Sequence, residues 1–581
     1  MIPDIYSLDK LQKIDSEFKK LAPADNLLDK AVLLEDFISE IFSLKPEIDE
    51  IKQQKALQKK LSDFKFKFVQ KVAYRSYGKE EITESFKDPA LDKMPILQLI
   101  GHVLSLQDQE IAIKHIAYKI HFDPDHDIYR IPQKLDFDNL LGDTFRKKNG
   151  DFEAHYCIYC HKQGKDSCRT GMEGKTNPLG NELKGCPLDQ KISEMNYLYA
   201  EGCIIAALAV AMIDNPLVAI TGHRVCNDCM KACIFQKQEP VDIPCIETDM
   251  VQDVLSLPYG AEIYYLLTRW NPLDNFIIHE NKPGSALIAG LGPAGFALSY
   301  YLLRNGIKVT ALDGMDIKPL GEEYFKPIKD WKKLTKQYIH QGFGGVCEYG
   351  ITDRWDKNNL LLIRFILERF KSFEIKPKTK LGKAISLDYA YHHYDHIALA
   401  IGAGRPIKPE IPNIDATGIC SSFNYLMRKN MSEKPGKKHN MPIIILGAGL
   451  TAMDCAFEAA KYSTNVSIIY RKSIKESPAY RENHDELQVA LDLGVNFIEN
   501  TPLKSIETNA QGEVVSINDS IEAKEVIYAF STHNNMIQGS SNYLDKISYL
   551  GDANPAYEGT VVNALASAKN MHQEIIARIE A

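Results

Sequence analysis

SALIAGLGPAGFALSYYLLRNGIKVTALD, running from Ser285 to Asp313, reads as an apolar strand, a glycine-rich turn, a helix and a second strand ending in an acid. The glycines have mechanical jobs. Gly290 permits a tight turn, Gly292 lets the backbone approach a pyrophosphate, and Gly295 lets helix and strand pack closely. The helix that opens at Pro293 and Ala294 offers free N–H groups and a positive dipole end to phosphates. Asp313, about 20 residues on, stands where a carboxylate accepts bonds from ribose hydroxyls. A GxGxxG alone is a weak signal, but strand, turn, helix and acid together point to a bound dinucleotide.

A second unit follows the same plan. PIIILGAGLTAMDCAFEAAKYSTNVSIIYRK, from Pro442 to Lys472, puts Gly447, Gly449 and Ala452 at the three small positions, with Thr451 in the first turn of the helix. The acid position holds Tyr470, and Arg471 and Lys472 come next. An acid there repels a 2′-phosphate and an arginine pairs with it, so this site is expected to prefer NADPH over NADH. Two different dinucleotide units in one chain imply FAD at one and a nicotinamide at the other. YDHIALAIGAGRP (Tyr394–Pro406) reads as a buried strand ending in glycines, Gly402 among them, suited to carry the chain between domains. GDANPAYEGTVVNALASAK reads as a Gly551-Asp552 turn and a helix start at Thr560 and Val561, where Asp552 can bond a flavin's ribityl chain.

The rest of the composition narrows the classes. The 581 residues are 45% hydrophobic and 25% charged, enough for several domains with real cores and unlike a disordered or collagen-like chain. A formal charge of −8 gives no bulk electrostatic reason to bind nucleic acid. The longest apolar run, Cys203 to Ile213, falls short of the roughly 18 residues that a membrane span needs. The start lacks a basic region followed by an apolar one, so no secretory signal is read and a soluble, cytoplasmic protein is expected.

Cysteine placement carries the next argument. Eight of the twelve fall between Cys157 and Cys233, with Cys245 just beyond and none before. In a long chain without a secretory signal, such a cluster points to metal binding or catalysis rather than to disulfides. Cys157-x2-Cys160, Cys226-x2-Cys229 and Cys229-x3-Cys233 let neighbouring sulfurs converge, and Cys186 precedes Pro187 as in iron–sulfur runs. A four-thiolate zinc site is the rival, because such geometry does not by itself separate the two. Seven well-spaced cysteines exceed one zinc site and fall one short of two four-ligand clusters, and adjacent redox sites favour iron–sulfur.

The motifs GHRVCNDCMKAC, QEPVDIPCIE, ALIAGLGPAG, GGVCEYGI, IILGAGLTAMDCA, YRK…SPAYRE and GD…GTVVNALA come in a familiar order. Over residues of about 150–581 the chain resembles the glutamate synthase small subunit and the N-terminal half of dihydropyrimidine dehydrogenase. The resemblance implies an electron-input enzyme holding NADPH, FAD and two 4Fe–4S clusters, with no side chain acting as general acid or base. It implies Cys157, Cys160, Cys168 and Cys233 for one cluster, and Cys186, Cys226 and Cys229 for the other, with Glu247 as fourth ligand and Cys245 as its rival. Gly344 and Gly345 of the GGVCEYG stretch join the flavin site. Cys203, Cys347, Cys420 and Cys455 have no such part and read as isolated thiols. The chain departs from the family in a long gap between Cys168 and Cys186, in Asp313 for a usual Glu, and in an insertion before Gly344. The implied partner is an electron-accepting protein or large subunit, with neither nucleic acid nor membrane involved and with homo- or hetero-oligomers open. A ferredoxin:NADP oxidoreductase, the input subunit of another reductase and a redox-sensing binding protein are the alternatives.

The expected architecture is multi-domain. A helical region spans 1–150, a helical iron–sulfur domain 151–280, a Rossmann-like FAD domain 281–430 and 526–581, and a Rossmann-like NADPH domain 431–525. Two decoys are set aside. The DPDHD stretch (Asp123–Asp127) lacks the glycine and glutamate of a calcium loop, and Gly174-Lys175-Thr176 has Arg169 where a phosphate loop needs glycine.

Overall fold

The computed structural model describes residues 5–21, 26–53, 55, 121–123, 128–130, 149–177, 179–222, 225–236, 240–279, 282–335, 344–345, 348, 350, 357–432, 438–535, 537, 540 and 545–581. The chain divides into two compact units. One is Met1–Ile278 with Lys326–Lys336, and the other is His279–Phe325 with Gln337–Ala581.

The first unit is mainly helical, and its N-terminal region is not separate from the cysteine region. The boundary expected at 150 falls inside the helix Asn149–Tyr156. LLDKAVLLEDFISEIF folds as the helix Leu27–Phe42, N-capped by Asn26, and buries Leu34, Phe37 and Ile38. Glu35 is fully buried on that helix, and its Oε2 accepts the N–H of Ala206 at 2.8 Å. It thereby satisfies an amide in the first turn of Ile204–Asp214, whose own N-cap residue Cys203 supplies no side-chain bond. Burial pushes the Glu35 carboxyl up to about 7. Asp15 accepts from the Trp270 indole at 3.1 Å, and buried Lys55 pairs with Asp151 and with Asp253 at 3.4 Å. The apolar run that ends at Ile213 is this helix, buried at nearly every position, and its hydrophobicity serves a core. Among the described residues no helix is long and apolar enough to cross a membrane. The helical expectation for 1–150 needs one correction. His121–Asp123 and Ile128–Arg130 form an antiparallel pair, in which Ile and Tyr favour strand. Residues 124–127 of the DPDHD decoy, and 59–77, which read as helical, lie outside the described residues.

The second unit contains two five-stranded parallel sheets. The first is ordered Ile547–Tyr549, His396–Leu399, Ser285–Ala289, Lys308–Leu312, Phe373–Lys376. Numbered along the chain from Ser285, that order is the 3-2-1-4-5 arrangement of dinucleotide-binding folds. The second is ordered Ile419–Ser421, Glu525–Tyr528, Ile443–Leu446, Val466–Ile469, Asn496–Ile498. Its strands Ile443–Leu446 and Val466–Ile469 are buried at every residue, as expected where helices cover both faces. Ala403–Pro406 and Thr532–Asn534 pair antiparallel, so the stretch read as a carrier between domains is half of a two-strand connection. The second domain's expected limits of 431 and 525 shift outward to Ile419 and Tyr528. The Pro/Gly/Lys stretch before Pro442 is not a domain boundary but a link inside the domain, after the helix Ser422–Ser432.

Candidate functional site

Each sheet switches strand order at its glycine turn. The first turn leaves Ser285–Ala289 at Gly290, whose φ is +97°. A Cβ on Gly290 would lie 2.2 Å from the carbonyl oxygen of Ala400, at the end of the neighbouring strand, so no side chain fits. A Cβ on Gly295 would lie 1.9 Å from the oxygen of Gly290, which is why the helix Pro293–Arg304 can sit so close to the turn. Pro293 takes the first helical position, where a missing N–H costs nothing, and Ala294 is buried behind it. Gly292 faces Gly345, 3.6 Å from where its Cβ would be, and Gly344 approaches both the oxygen of Leu291 and the carboxylate of Asp313.

Asp313 is 9% exposed and has a task the sequence did not disclose. Its Oδ2 accepts the N–H of Leu291 at 2.8 Å and its Oδ1 accepts the N–H of Met315 at 2.7 Å. The shorter acid turns back onto the glycine turn and fastens it. Burial pushes its carboxyl up, against these bonds, which hold it down. Beyond Leu399, Gly402 has a φ of +67°, and no described residue lies within 4 Å of a Cβ there. The Gly551 turn closes the site from the C-terminal side. The N–H of Gly551 donates to Ser567 Oγ at 2.9 Å, and a Cβ there would come within 3.1 Å of Ala294. Asp552 Oδ1 accepts from the N–H of Gly559 at 2.9 Å, and Thr560 caps the helix beginning at Val561 by accepting the N–H of Asn563.

The second turn repeats the construction and is open. Gly447 has a φ of +114°, and its Cβ would fall 2.5 Å from the oxygen of Ala529, just past the end of the neighbouring strand. Gly449 caps the helix Leu450–Tyr462 and has nothing within 4 Å of a Cβ among the described residues. Thr451 is exposed and Ala452 buried. Arg471 and Lys472 lie exposed past the strand Val466–Ile469. Lys472 pairs with Glu476 at 3.1 Å, and Glu476 also accepts from Ser473 Oγ; these bonds hold its carboxyl below the ordinary value. Arg471 makes no hydrogen bond or ion pair among the described residues.

The thiols sort into two sets. Cys157 follows the helix Asn149–Tyr156, Cys160 opens a tight turn, Cys168 lies on Ser167–Thr170, and Cys233 follows Asp228–Lys231. Burial pushes Cys157 up to about 12 and Cys233 to about 11, and Cys168 well up. The thiol neighbours that add to these shifts belong to the same four: Cys233 and Cys160 act on Cys157, Cys233 and Cys157 on Cys168, and Cys160 on Cys233. In the other set Cys186 acts on Cys226, while Glu247, Cys226 and Cys186 act on Cys229. The sets touch through the backbone, where the N–H of Cys186 donates to the oxygen of Cys168 at 2.9 Å. The long gap between these cysteines is a hairpin closed at its base, with a bridge from Thr176 to Glu182. Its end glycines, Gly171 and Gly185, have no room for a Cβ.

Glu247 and Cys245 part company on the helix Ile243–Ser256, because two residues are about 200° apart around a helix. Glu247 is buried beside Cys229 and receives a hydrogen bond from Gln190 at 2.8 Å. The charge of Cys245 instead acts on Tyr199. Burial pushes the Glu247 carboxyl up to about 7. As donors, thiols and a carboxyl suit a cationic inorganic core, which relieves the mutual repulsion of their anions. Among the described residues no three such side chains are grouped to hold a single metal ion. Cys203 and Cys455 are buried, Cys420 is half-buried and acts on Cys455, and Cys347 lies outside the described residues.

Residues 284–532 match the family model of the pyridine nucleotide-disulphide oxidoreductases. That stretch is similar to the domains of that oxidoreductase family. It takes in both glycine turns and ends at Thr532, the first residue of the strand Thr532–Asn534. Over 454 residues the chain is 38% identical to the uncharacterized protein RP006 of Rickettsia prowazekii, covering 62% of this chain and 64% of that protein. Over 231 residues it is 30% identical to the uncharacterized protein RP005 of the same organism, covering 29% of this chain and 77% of that protein, and this chain belongs to one family with RP005. It is 24% identical to the glutamate synthase [NADPH] small chain of Escherichia coli over 346 residues, 57% of this chain and 64% of that one. The chain thus spans slightly less than two thirds of RP006 and of the small chain.

Two buried polar residues escaped the sequence reading, Gln190 beside Glu247 and Glu35 in the helical core of the first unit. Gln190 gives no signal beyond standing four places after Cys186. Glu35 could have been found, as an acid between the apolar Leu34 and the apolar pair Phe37 and Ile38.

Proposed function

We propose that this oxidoreductase is an electron-input enzyme that oxidises NADPH and delivers electrons singly to an acceptor protein, holding FAD, NADPH and two 4Fe–4S clusters. One observation supports the reading: charge interactions link Cys157, Cys160, Cys168 and Cys233 with one another, and link Cys186, Cys226 and Glu247 with Cys229. FAD, when bound, supplies the conversion of a hydride into single electrons, and iron–sulfur clusters supply one-electron storage. The chain's own residues position and insulate. Gly290, Gly292, Gly295, Gly344, Gly345 and Gly402 make room for the FAD pyrophosphate and ring, and Asp313 keeps the turn rigid under it. Gly551, Asp552, Thr560 and Val561 bring a second helix start to the same site. Gly447, Gly449 and Ala452 receive the NADPH pyrophosphate, and Arg471 receives the 2′-phosphate. The NADPH-linked name of the glutamate synthase small chain supports the nucleotide.

An anaerobic visible spectrum, titrated with NADPH and paired with metal analysis, tests the proposal. Flavin bands and a broad iron–sulfur shoulder, both bleached by stoichiometric NADPH in an iron-containing protein, are expected. A flavin spectrum without the shoulder, with zinc in place of iron, would overturn the electron-carrying role.

A further inference from the structure

Within that iron–sulfur reading, the geometry points to Gln190 as the residue that positions Glu247 in the second thiol set. Gln190 is 1% exposed and follows Cys186 through a turn in which the N–H of Asp189 donates to the oxygen of Cys186 at 2.9 Å. Its Nε2 donates to Glu247 Oε1 at 2.8 Å. Its Oε1 accepts from Asn215 Nδ2 at 3.1 Å, and the same Asn215 nitrogen donates to Thr221 Oγ1 at 2.7 Å. The Thr221 hydroxyl in turn donates to the oxygen of Val218 at 3.3 Å.

This chain of bonds has a direction. An amide has one accepting end and one donating end, so a donor at the Gln190 oxygen commits its nitrogen to Glu247. Asn215 can serve both partners because its nitrogen carries two hydrogens. Asn215 and Thr221 are each 3% exposed, so water does not compete for these groups. The bond to Oε1 favours the anionic carboxylate and fixes its plane, leaving the other oxygen for a ligand bond beside Cys229. One loop therefore supplies both a donor of the set, Cys186, and the group that aims another donor, Glu247. Groups in this supporting position typically change metal affinity about 10–100-fold when removed.

The test is Gln190→Leu in the full-length protein, purified anaerobically, with iron and flavin assayed and the reduced protein followed by EPR during a redox titration. A hydrogen bond to a ligand stabilises the charge gained on reduction, so its loss lowers the potential of that cluster alone. The expected result is an altered EPR signal and a lower midpoint for one cluster, about 10-fold faster iron loss to a chelator, and an unmoved second signal and flavin content. Gln190→Met, unbranched and of similar length, replaces the leucine variant if that one does not fold. In a Glu247→Cys background, where no carboxylate needs aiming, Gln190→Leu should move nothing further. Unchanged signals, equal shifts in both clusters, or the same shift persisting in the Glu247→Cys background would each overturn the positioning role. A wild-type protein that holds zinc and no iron would sink the proposed function itself, and this inference with it.

Discussion

The two glycine turns share one construction and differ in what the chain lays over them. Gly290 and Gly447 do the same work, each lying flush against the carbonyl of the strand across the switch point, Ala400 in one case and Ala529 in the other. Over the first turn come Gly344 and Gly345, the two amide bonds of Asp313, and the Gly551 turn pressed on Ala294. Over the second, no described residue comes within 4 Å of a Cβ on Gly449, and Arg471 stands exposed. A turn of fixed geometry becomes a place of residence when later segments roof it, and a place of exchange when they do not. The proposed FAD and NADPH differ in the same sense, one retained through every cycle and the other arriving and leaving.

The largest test of this contrast lies at the third small position of each turn. Gly295→Ala should abolish flavin retention, because the added Cβ would sit 1.9 Å from the oxygen of Gly290, which is backbone and cannot step aside. Flavin absorbance of the purified variant measures this. The reciprocal change, Ala452→Gly, should cost only about 1 kcal/mol of helix propensity and leave NADPH affinity within about 3-fold.

Acid should separate the two domains next. His396 lies fully buried in the first sheet, bonded to Ser548 Oγ at 3.1 Å, and burial pushes its pKa down to about 4. The unfolded chain takes up this proton near pH 6.5 and the folded chain resists it, so stability rises with pH across that window and is lost as pH falls through it. The loss is about 2–3 kcal/mol by pH 4. The corresponding strand of the second sheet, Glu525–Tyr528, has no histidine. Flavin fluorescence should therefore appear before the second domain becomes sensitive to protease, and His396→Leu should remove that order.

The smallest effects lie at the open site. Arg471→Ala should raise KM for NADPH about 10–100-fold and leave kcat and NADH oxidation unchanged, the cost of one charge-assisted bond. Glu476→Gln frees Lys472 from its 3.1 Å pair and should lower KM for NADPH about 2–3-fold, an effect that fades in salt. Steady-state kinetics with both nucleotides at two ionic strengths reads both variants.

The glycine turns were legible because their requirements are local: a positive φ, a missing Cβ and a helix start all leave marks within a few residues. The strand order around them follows from the same short pattern. The first unit was less legible because what joins it is distant in sequence. Glu35 reaches Ala206 and Asp15 reaches Trp270, so helices that read as a separate region belong to the cysteine-bearing unit. The proposed grouping of the thiols comes from resemblance rather than from spacing, since it would join Cys233 to Cys157 across more than seventy residues. Asp313 stood at the expected position, but only coordinates show both of its oxygens already engaged. Gln190 could not have been found at all, because a buried glutamine looks in sequence like any other.

The hairpin between Cys168 and Cys186 has a consequence for anyone handling this protein. Its base is pinned by Gly171, Gly185 and the bond from Cys186 to Cys168, so the length and chemistry of its tip do not enter the positions of either cysteine. The exposed residues Glu173 and Gly174, just before the paired Lys175 and Thr176, therefore form a grafting point where a dye, a spin label or an affinity tag can be carried a few residues from both thiol sets.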